Sequence, residues 1–567
     1  MIVRFRRVGA WLAGAAVLGA CDAPTDPGGS AVATAPSMLI TPACAGTGGQ
    51  THTGDTIRTA QIWTRANSPH RVMGWTYVDA GGKLTIAPGA AVCFEPYVGL
   101  VAQNGGRVMA RGRDTAKIVF TGRDPARGWR GIRLSGAPAA ASYLTNIRIE
   151  HVNVDYVAVT TSGQHAAVVD SAVIRQSGRG VSFSAPGSRL IRSAVDSTTN
   201  RYGVAVLLAA GSFEGSVVRH AAGDGVQVTG PNVLLLGGRI EGSTDVGLTV
   251  ETVPLNRYSR AVRVVGGQSY PARLSLSAFV RLYSTPALQD SLLGNARETA
   301  IVYGGWLHST LAVGPRLPLW IDGYVVADSL AAVVLQPGAR IYFARYAGLA
   351  VQNGGRLISR GSATSPVLLT AENPAVGWRG LLFTSNVPLT SYVTNTRVEH
   401  TGPRHGGLTA YGNHRVIVDS AVFRHTGFAV NLLSYNSRLM RTLVDTTLNR
   451  DFPAVGLAGN TRMESTRIRA SAGHGVEISG PGVVVASCDI RDGERDGIVM
   501  HYSVAVRNCN LVNNLGVGIR NWSSSASATG NWWGSTGGPN GVDGDGAAGP
   551  LVVSPWRTTP YTLPYVP

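Results

Sequence analysis

The chain contains itself twice. Tyr97-Val-Gly-Leu100 returns as Tyr346-Ala-Gly-Leu349, Gln103-Asn-Gly-Gly-Arg107 as Gln352-Asn-Gly-Gly-Arg356, and Gly128-Trp-Arg-Gly131 as Gly377-Trp-Arg-Gly380, each 249 residues on. The spacing holds at Glu150-His151 against Glu399-His400. One inserted residue after Arg450 widens it to 250, where Gly223-Asp-Gly-Val226 matches Gly473-His-Gly-Val476. Two halves, roughly 56–250 and 305–500, are therefore homologous. Inside each runs a shorter period. Val181, Val204, Val226 and Leu248 follow a glycine at steps of 23, 22 and 22, and Val476, Ile498 and Ile519 step by 22 and 21. No long stretch has a 3.6-residue period, so the body reads as short strands. A period in the low twenties without helix predicts a β-solenoid, whose coils must stack because none buries its inner face alone. Roughly twenty coils about 4.8 Å apart make a rod on the order of 95 Å long.

The stacking predicts which side chains meet. In the first half one aliphatic residue per coil precedes a charged one: Ile149-Glu150, Ile174-Arg175, Val195-Asp196, Val218-Arg219 and Ile240-Glu241. Aligned as coils, the aliphatic residues form an inward column and the charged ones an outward column of alternating sign. The second half repeats it as Val398-Glu399, Phe423-Arg424, Val444-Asp445, Ile468-Arg469 and Ile490-Arg491, where only the last position breaks the alternation. Like charges in register would repel, so alternation fixes coil register more than it adds stability. The same spacing sets Cys488 and Cys509, 21 residues apart, one above the other for a disulfide. Cys44 with Cys93 follows by elimination and staples the leading segment to the first coils. No cysteine or histidine cluster suggests zinc.

The N-terminus reads as an export signal. Arg4, Arg6 and Arg7 precede an apolar run, Val8 to Leu18, too short to span a bilayer. Leu18-Gly19-Ala20-Cys21 then resembles the bacterial lipobox, which implies that the Cys21 thiol is acylated and anchors the chain; the other reading is an ordinary secretory signal ending near a cysteine. Residues 1–20 are thus signal, 21–50 lipidated cysteine and flexible tether, 51–250 the first β-helix half, 251–304 an irregular junction or loop-bearing coils, 305–520 the second half and 521–567 a C-terminal cap.

Gly82-Lys-Leu-Thr-Ile-Ala-Pro-Gly-Ala-Ala-Val-Cys-Phe94, its later copy Leu335-Gln-Pro-Gly-Ala-Arg-Ile-Tyr-Phe343, and the closing Asn531-Trp-Trp-Gly-Ser-Thr-Gly-Gly-Pro539 resemble bacterial right-handed parallel β-helix surface proteins. The resemblance covers about residues 75–560. It implies the pectate-lyase-like superfold, with an aromatic cap over the last coil's open edge. It does not imply one function, because the superfold hosts lyases, hydrolases, epimerases, adhesins and inert scaffolds.

Hydrolases of this fold need clustered carboxylates, and calcium-dependent lyases need oxygen ligands beside an arginine. Here the conspicuous acids are separated by arginines, which keeps them ionised. Glu150-His151 and Glu399-His400 have an acid/base reading but occur in both copies and fit the ladder. Asp543-Gly-Asp545 reads as a turn before it reads as a calcium site. Asp489, Asp492, Glu494 and Asp496, with His501, form the densest acidic patch, interleaved by Arg491 and Arg495. No catalytic residue, metal ligand or cofactor is expected. The net charge is +17, and only Lys83 and Lys117 of the basic residues are lysine. Arginine suits carboxylate and phosphate, so acidic polysaccharide or lipopolysaccharide are the expected partners besides the membrane; codon bias is the competing explanation. Nucleic acid is excluded by export. The chain therefore reads as a lipid-anchored cell-envelope protein, at the outer membrane, cell surface or periplasm. It is non-catalytic, binding glycans or serving as an adhesive scaffold. The alternative is a lyase or glycoside hydrolase on acidic polysaccharide, with 251–304 the place for its loops.

Overall fold

The computed structural model describes residues 44–45, 48–137, 140–539, 541–542 and 544–564. Cys21, the signal, most of the tether and Asp543 lie outside the described residues. What is described is a parallel β-helix of about 21 coils. Each coil of the first half contributes a strand to three faces in turn. Face one stacks ten strands from Thr51–His52 to Arg263–Val265, and face three stacks eight from Ala60–Trp63 to Leu234–Leu236. Inward positions carry aliphatic and aromatic side chains: Ile149, Ile174, Val195, Val218 and Ile240 are fully buried above one another. They belong to one core that runs from Ile57 to Trp533.

The corners are made by single left-handed residues. Asn146, Ser171 and Arg192 turn the chain into a face-one strand, and His151, Gln176, Ser197 and His220 turn it out again, all with φ between 45° and 56°. Short polar side chains tolerate this region best. The Gly-Trp-Arg-Gly motif makes a special corner. Trp129 and Trp378 are buried, stack on Phe94 and Phe343 at 4.0 Å, and donate through Nε1 to the carbonyls of Glu150 and Glu399. A Cβ on Gly131 would meet the carbonyl oxygen of Val157 at 2.1 Å, so only glycine fits there.

The halves join in one hydrogen-bonded stack, but out of phase. On face two, Ala272–Ser275 pairs with Ala300–Leu307, which pairs with Leu319–Ala327, which pairs with Arg340–Phe343. Arg340–Phe343 is the counterpart, 249 residues on, of Ala91–Phe94, and that strand lies on face one. The second copy is therefore turned by one face of the three relative to the first. The shift is absorbed where helices α1 (Leu276–Tyr283) and α2 (Pro286–Gln289) replace a strand. Apolar residues of α1, among them Phe279 and Leu282, are buried against the stack, and Tyr283 donates to the carbonyl of Val262 at 2.7 Å.

At the leading end a disulfide joins Cys44 to Cys93, and Trp63 packs against both His52 and His70, at 4.2 and 5.2 Å, which also stack on each other at 5.5 Å. Cys488 and Cys509 correct the expected second bridge: they are buried, stacked and unbonded. Parallel register holds stacked Cβ atoms about 4.8 Å apart, beyond the roughly 3.5–4.5 Å of a disulfide. Each thiol points instead at a carbonyl two residues back, Ala486 at 3.2 Å and Arg507 at 3.3 Å. At the far end Trp533 is fully buried under the last coil, and Asn531 donates to the carbonyls of Val506 and Ala528. Among the described residues no helix is long and apolar enough to cross a membrane.

Candidate functional site

The charged column is a run of in-register pairs. Glu150 lies opposite Arg175, Arg175 opposite Asp196, Asp196 opposite Arg219 and Arg219 opposite Glu241. In the second copy Glu399, Arg424, Asp445 and Arg469 follow in the same way, and Arg469 meets Arg491. The contacts vary more than the register. Glu150 is fully buried and holds both Arg148 at 3.0 Å and Arg175 at 2.5 Å. Arg219 reaches Glu241 at 3.1 Å. Asp196 turns to His220 at 3.0 Å instead of an arginine; burial pushes its carboxyl up, but the His220 and Ser197 hydrogen bonds outweigh that and hold it below the usual range. Asp445 takes Arg469 at 2.9 Å and Arg424 at 3.2 Å, and the Arg469 hydrogen bond holds its carboxyl low. Arg491 is relieved by Asp489 at 2.7 Å.

Acids fixed as carboxylates in this way are poor proton donors. The acidic patch is likewise laced with ion pairs: Asp489 also binds Arg467, Asp496 binds Arg520 at 2.7 Å, Glu494 binds Arg450 and His501 meets Glu477. His151 and His400 are corner residues whose Nδ1 atoms meet Thr121 and Thr370 at 2.9 and 3.0 Å. Asp545 accepts from the side chain of Asn514 at 2.6 Å inside the cap.

A groove of about 690 Å³ does open on the third face of the second copy. Arg415, Arg438 and Arg462 line it, with Arg438 and Arg462 stacked in register. Tyr435, half exposed, lies against Gly459, where a Cβ would come within 3.2 Å of its ring. Asn436 and Asn460 form the corner in left-handed conformation. The first copy supplies the comparison. The counterpart of Arg438 is Arg189, clamped by Glu214 through two hydrogen bonds of 2.8 and 2.7 Å that raise the arginine's pKa and lower the glutamate's. The counterparts of Arg415 and Arg462 are Ala166 and Ser212. In the second copy the matching Glu464 is taken by Arg462 at 2.8 Å. Among the described residues no carboxylate lies within ion-pairing distance of Arg415 or Arg438, and the Nε of Arg415 is buried without a hydrogen bond. The first groove is neutral (Arg189 with Glu214); the second carries two uncompensated positive charges on an otherwise homologous surface.

A second cluster, which sequence reasoning missed, sits at the junction. Ser275, Tyr303 and Asp322 are stacked in register, with Glu251 next to Val250 one coil earlier. Arg273 lies two residues before Ser275, and Tyr270 and Trp320 rings stand 6.0 Å apart beside it. Burial raises the Tyr303 hydroxyl, with Arg273 opposing and Glu251 and Asp322 adding. Burial and then Asp245 push the Asp224 carboxyl up. Among the described residues Asp224, Asp245, Glu251 and Asp322 make no ion pair. The only sequence signal was the broken period.

Fold and faces together define a right-handed parallel β-helix. The family described as "Right handed beta helix region" matches residues 382–532. Among solved structures, the A-module of a mannuronan C-5 epimerase of Azotobacter vinelandii is similar over 83% of this chain and 92% of its own, at 10% identity and a TM-score of 0.10; a likeness of that strength says nothing about function. No curated protein matches the sequence.

Proposed function

We propose that this chain is a cell-envelope rod, anchored by lipid on Cys21, that binds acidic polysaccharide in the arginine groove of its second half. One observation carries the reading: Arg415 and Arg438 face a groove in which Glu464, the counterpart of the carboxylate that clamps Arg189 in the first copy, is taken by Arg462. Arg415 is part-buried with an unsatisfied Nε, which an anion would relieve, while Arg438 is exposed and free to meet one; the planar guanidinium fork matches carboxylate or phosphate. Tyr435 adds a flat apolar surface suited to a sugar ring. Polyuronates and the phosphorylated core of lipopolysaccharide share this chemistry, and a panel containing both separates them. The export signal and the lipobox-like Leu18-Gly19-Ala20-Cys21 support the envelope location.

The test is retention of residues 22–567 on immobilised polygalacturonate, alginate and lipopolysaccharide, comparing wild type with Arg415→Glu/Arg438→Glu. The expected result is binding that weakens with salt and at least about tenfold in the double variant. Equal binding by both proteins, or binding indifferent to salt, overturns the reading. A second reading, cleavage of the same polymers, is favoured by the unpaired acids beside Tyr303 and Arg273. Release of new reducing ends or unsaturated sugars in the same incubations decides for it.

A further inference from the structure

Helix α1 leaves a recess where a strand would otherwise close the face. Its exposed side, with Arg281 and Ser284, and the segment from Trp306 to Thr310 enclose about 500 Å³. Trp306 stands in this recess 55% exposed; Trp522 and Trp556 are exposed too, but Trp306 is the one that lines this recess. An indole carries the largest apolar surface of any side chain, and leaving it in water beside a pocket marks a surface shaped for a ligand. The ligand's chemistry follows from what surrounds the ring. Arg281 is exposed and bound only at 3.4 Å to the carbonyl of Arg257. His308 and the hydroxyls of Ser309 and Thr310 complete the rim. An apolar plate, a cation and several hydroxyl groups at one recess fit the two faces of a sugar unit that bears an acid group: C–H bonds on the indole, the carboxylate on the guanidinium.

We propose that the Trp306 recess is a second glycan subsite, binding a single acidic sugar unit. The inference rests on the polysaccharide-binding reading but concerns a different face. Trp306 lies in the strand Ala300–Leu307, opposite Val326 and then Ala350, while the arginine groove lies on the sheet that begins at Leu311–Val313. The rod thus holds two sites that differ in kind. The groove grips a run of negative charges, and the recess grips one sugar unit by shape.

The probe is a short oligogalacturonate, titrated into residues 22–567 and followed by tryptophan fluorescence and calorimetry. The proteins compared are wild type, Trp306→Ala, Arg281→Ala and the Arg415→Glu/Arg438→Glu variant, with circular dichroism checking that each folds. The expected result is a fluorescence change that disappears in Trp306→Ala, and affinity for the oligomer that falls about tenfold in either recess variant. Retention on the long polymer should survive Trp306→Ala and be lost in the groove variant. Unchanged oligomer binding in Trp306→Ala overturns the subsite while leaving the groove standing. Loss of polymer retention in no variant overturns the groove reading, and wild type that binds neither probe overturns both.

Discussion

His414 is a buried base with one orphaned nitrogen, and its acid response is measurable. The Oγ of Ser391 accepts the N–H of Leu357 at 2.9 Å and shares a hydrogen bond with Nε2 of His414 at 2.8 Å. Among the described residues Nδ1 is buried without a partner, so a second proton on the ring gains no hydrogen bond there. Burial lowers the pKa from 6.5 to about 4. A folded-state pKa below the unfolded one means that the unfolded chain binds more protons in between. Stability is thus complete above pH 6.5 and falls as pH drops toward about 4. At about 1.4 kcal/mol per unit the loss is about 3 kcal/mol. The first copy's counterpart, His165, differs: it accepts from Ser142 at 2.8 Å and donates from Nδ1 to the carbonyl of Ser135 at 3.1 Å. His414→Phe removes the titration and the orphaned ring nitrogen, and keeps a ring against Phe383. The assay is hydrogen exchange in the strands Thr390–Thr394 and Arg415–Asp419 at pH 7 and 4.5, corrected for intrinsic rates. Between pH 7 and 4.5, about two units of that span, the variant should lose about 2 kcal/mol less local stability. Paired carboxylates contribute mainly below about pH 4, and the other lowered histidines are common to both proteins. Equal losses in variant and wild type refute the argument.

Glu150→Gln should cost about 1–2 kcal/mol in urea unfolding, because a buried carboxylate holding two part-exposed arginines is lost. Glu399→Gln, at the homologous position but partly exposed and, among the described residues, in no ion pair, should cost less than about 0.5 kcal/mol; equal costs refute the assignment. Cys488 and Cys509 should resist a thiol reagent in the native protein and both react on unfolding, burial having pushed the Cys488 thiol up. A mass two units low for the intact, unreduced chain after Cys44–Cys93 is accounted for would show a second bridge instead.

Much of the fold was legible because a solenoid converts sequence period directly into contact. Glu150, Arg175 and Asp196 meet because each lies one coil beyond the last, and the same arithmetic stacks Cys488 on Cys509. It did not say that stacking distance is wrong for a disulfide, which depends on Cβ separation. Nor did it say that Glu150 would be buried and Glu399 not, since that is decided by flanking loops. The arginine groove was hidden for a different reason. Arg415, Arg438 and Arg462 recur at coil spacing, but so do Arg189 and Glu214. What distinguishes the sites is which carboxylate reaches which guanidinium, a matter of side-chain geometry. The junction was least readable. Helix α1 has no second copy to align with, and Tyr303 and Asp322 come together only through the register that follows it.

The phase offset between the copies gives the rod a directional pattern. The side of the rod that carries the neutralised ion column in the first copy carries the third face, with Arg415 and Arg438, in the second. A straight polyanion laid along that side would cross a stretch where Glu150 and Glu241 hold the arginines beside them before reaching one where Arg415 and Arg438 are not held. Its grip would then be strongest at the end away from the leading disulfide. Joined in phase, the same two copies would have set the Arg189–Glu214 groove, not the ion column, in line with the Arg415–Arg438 groove.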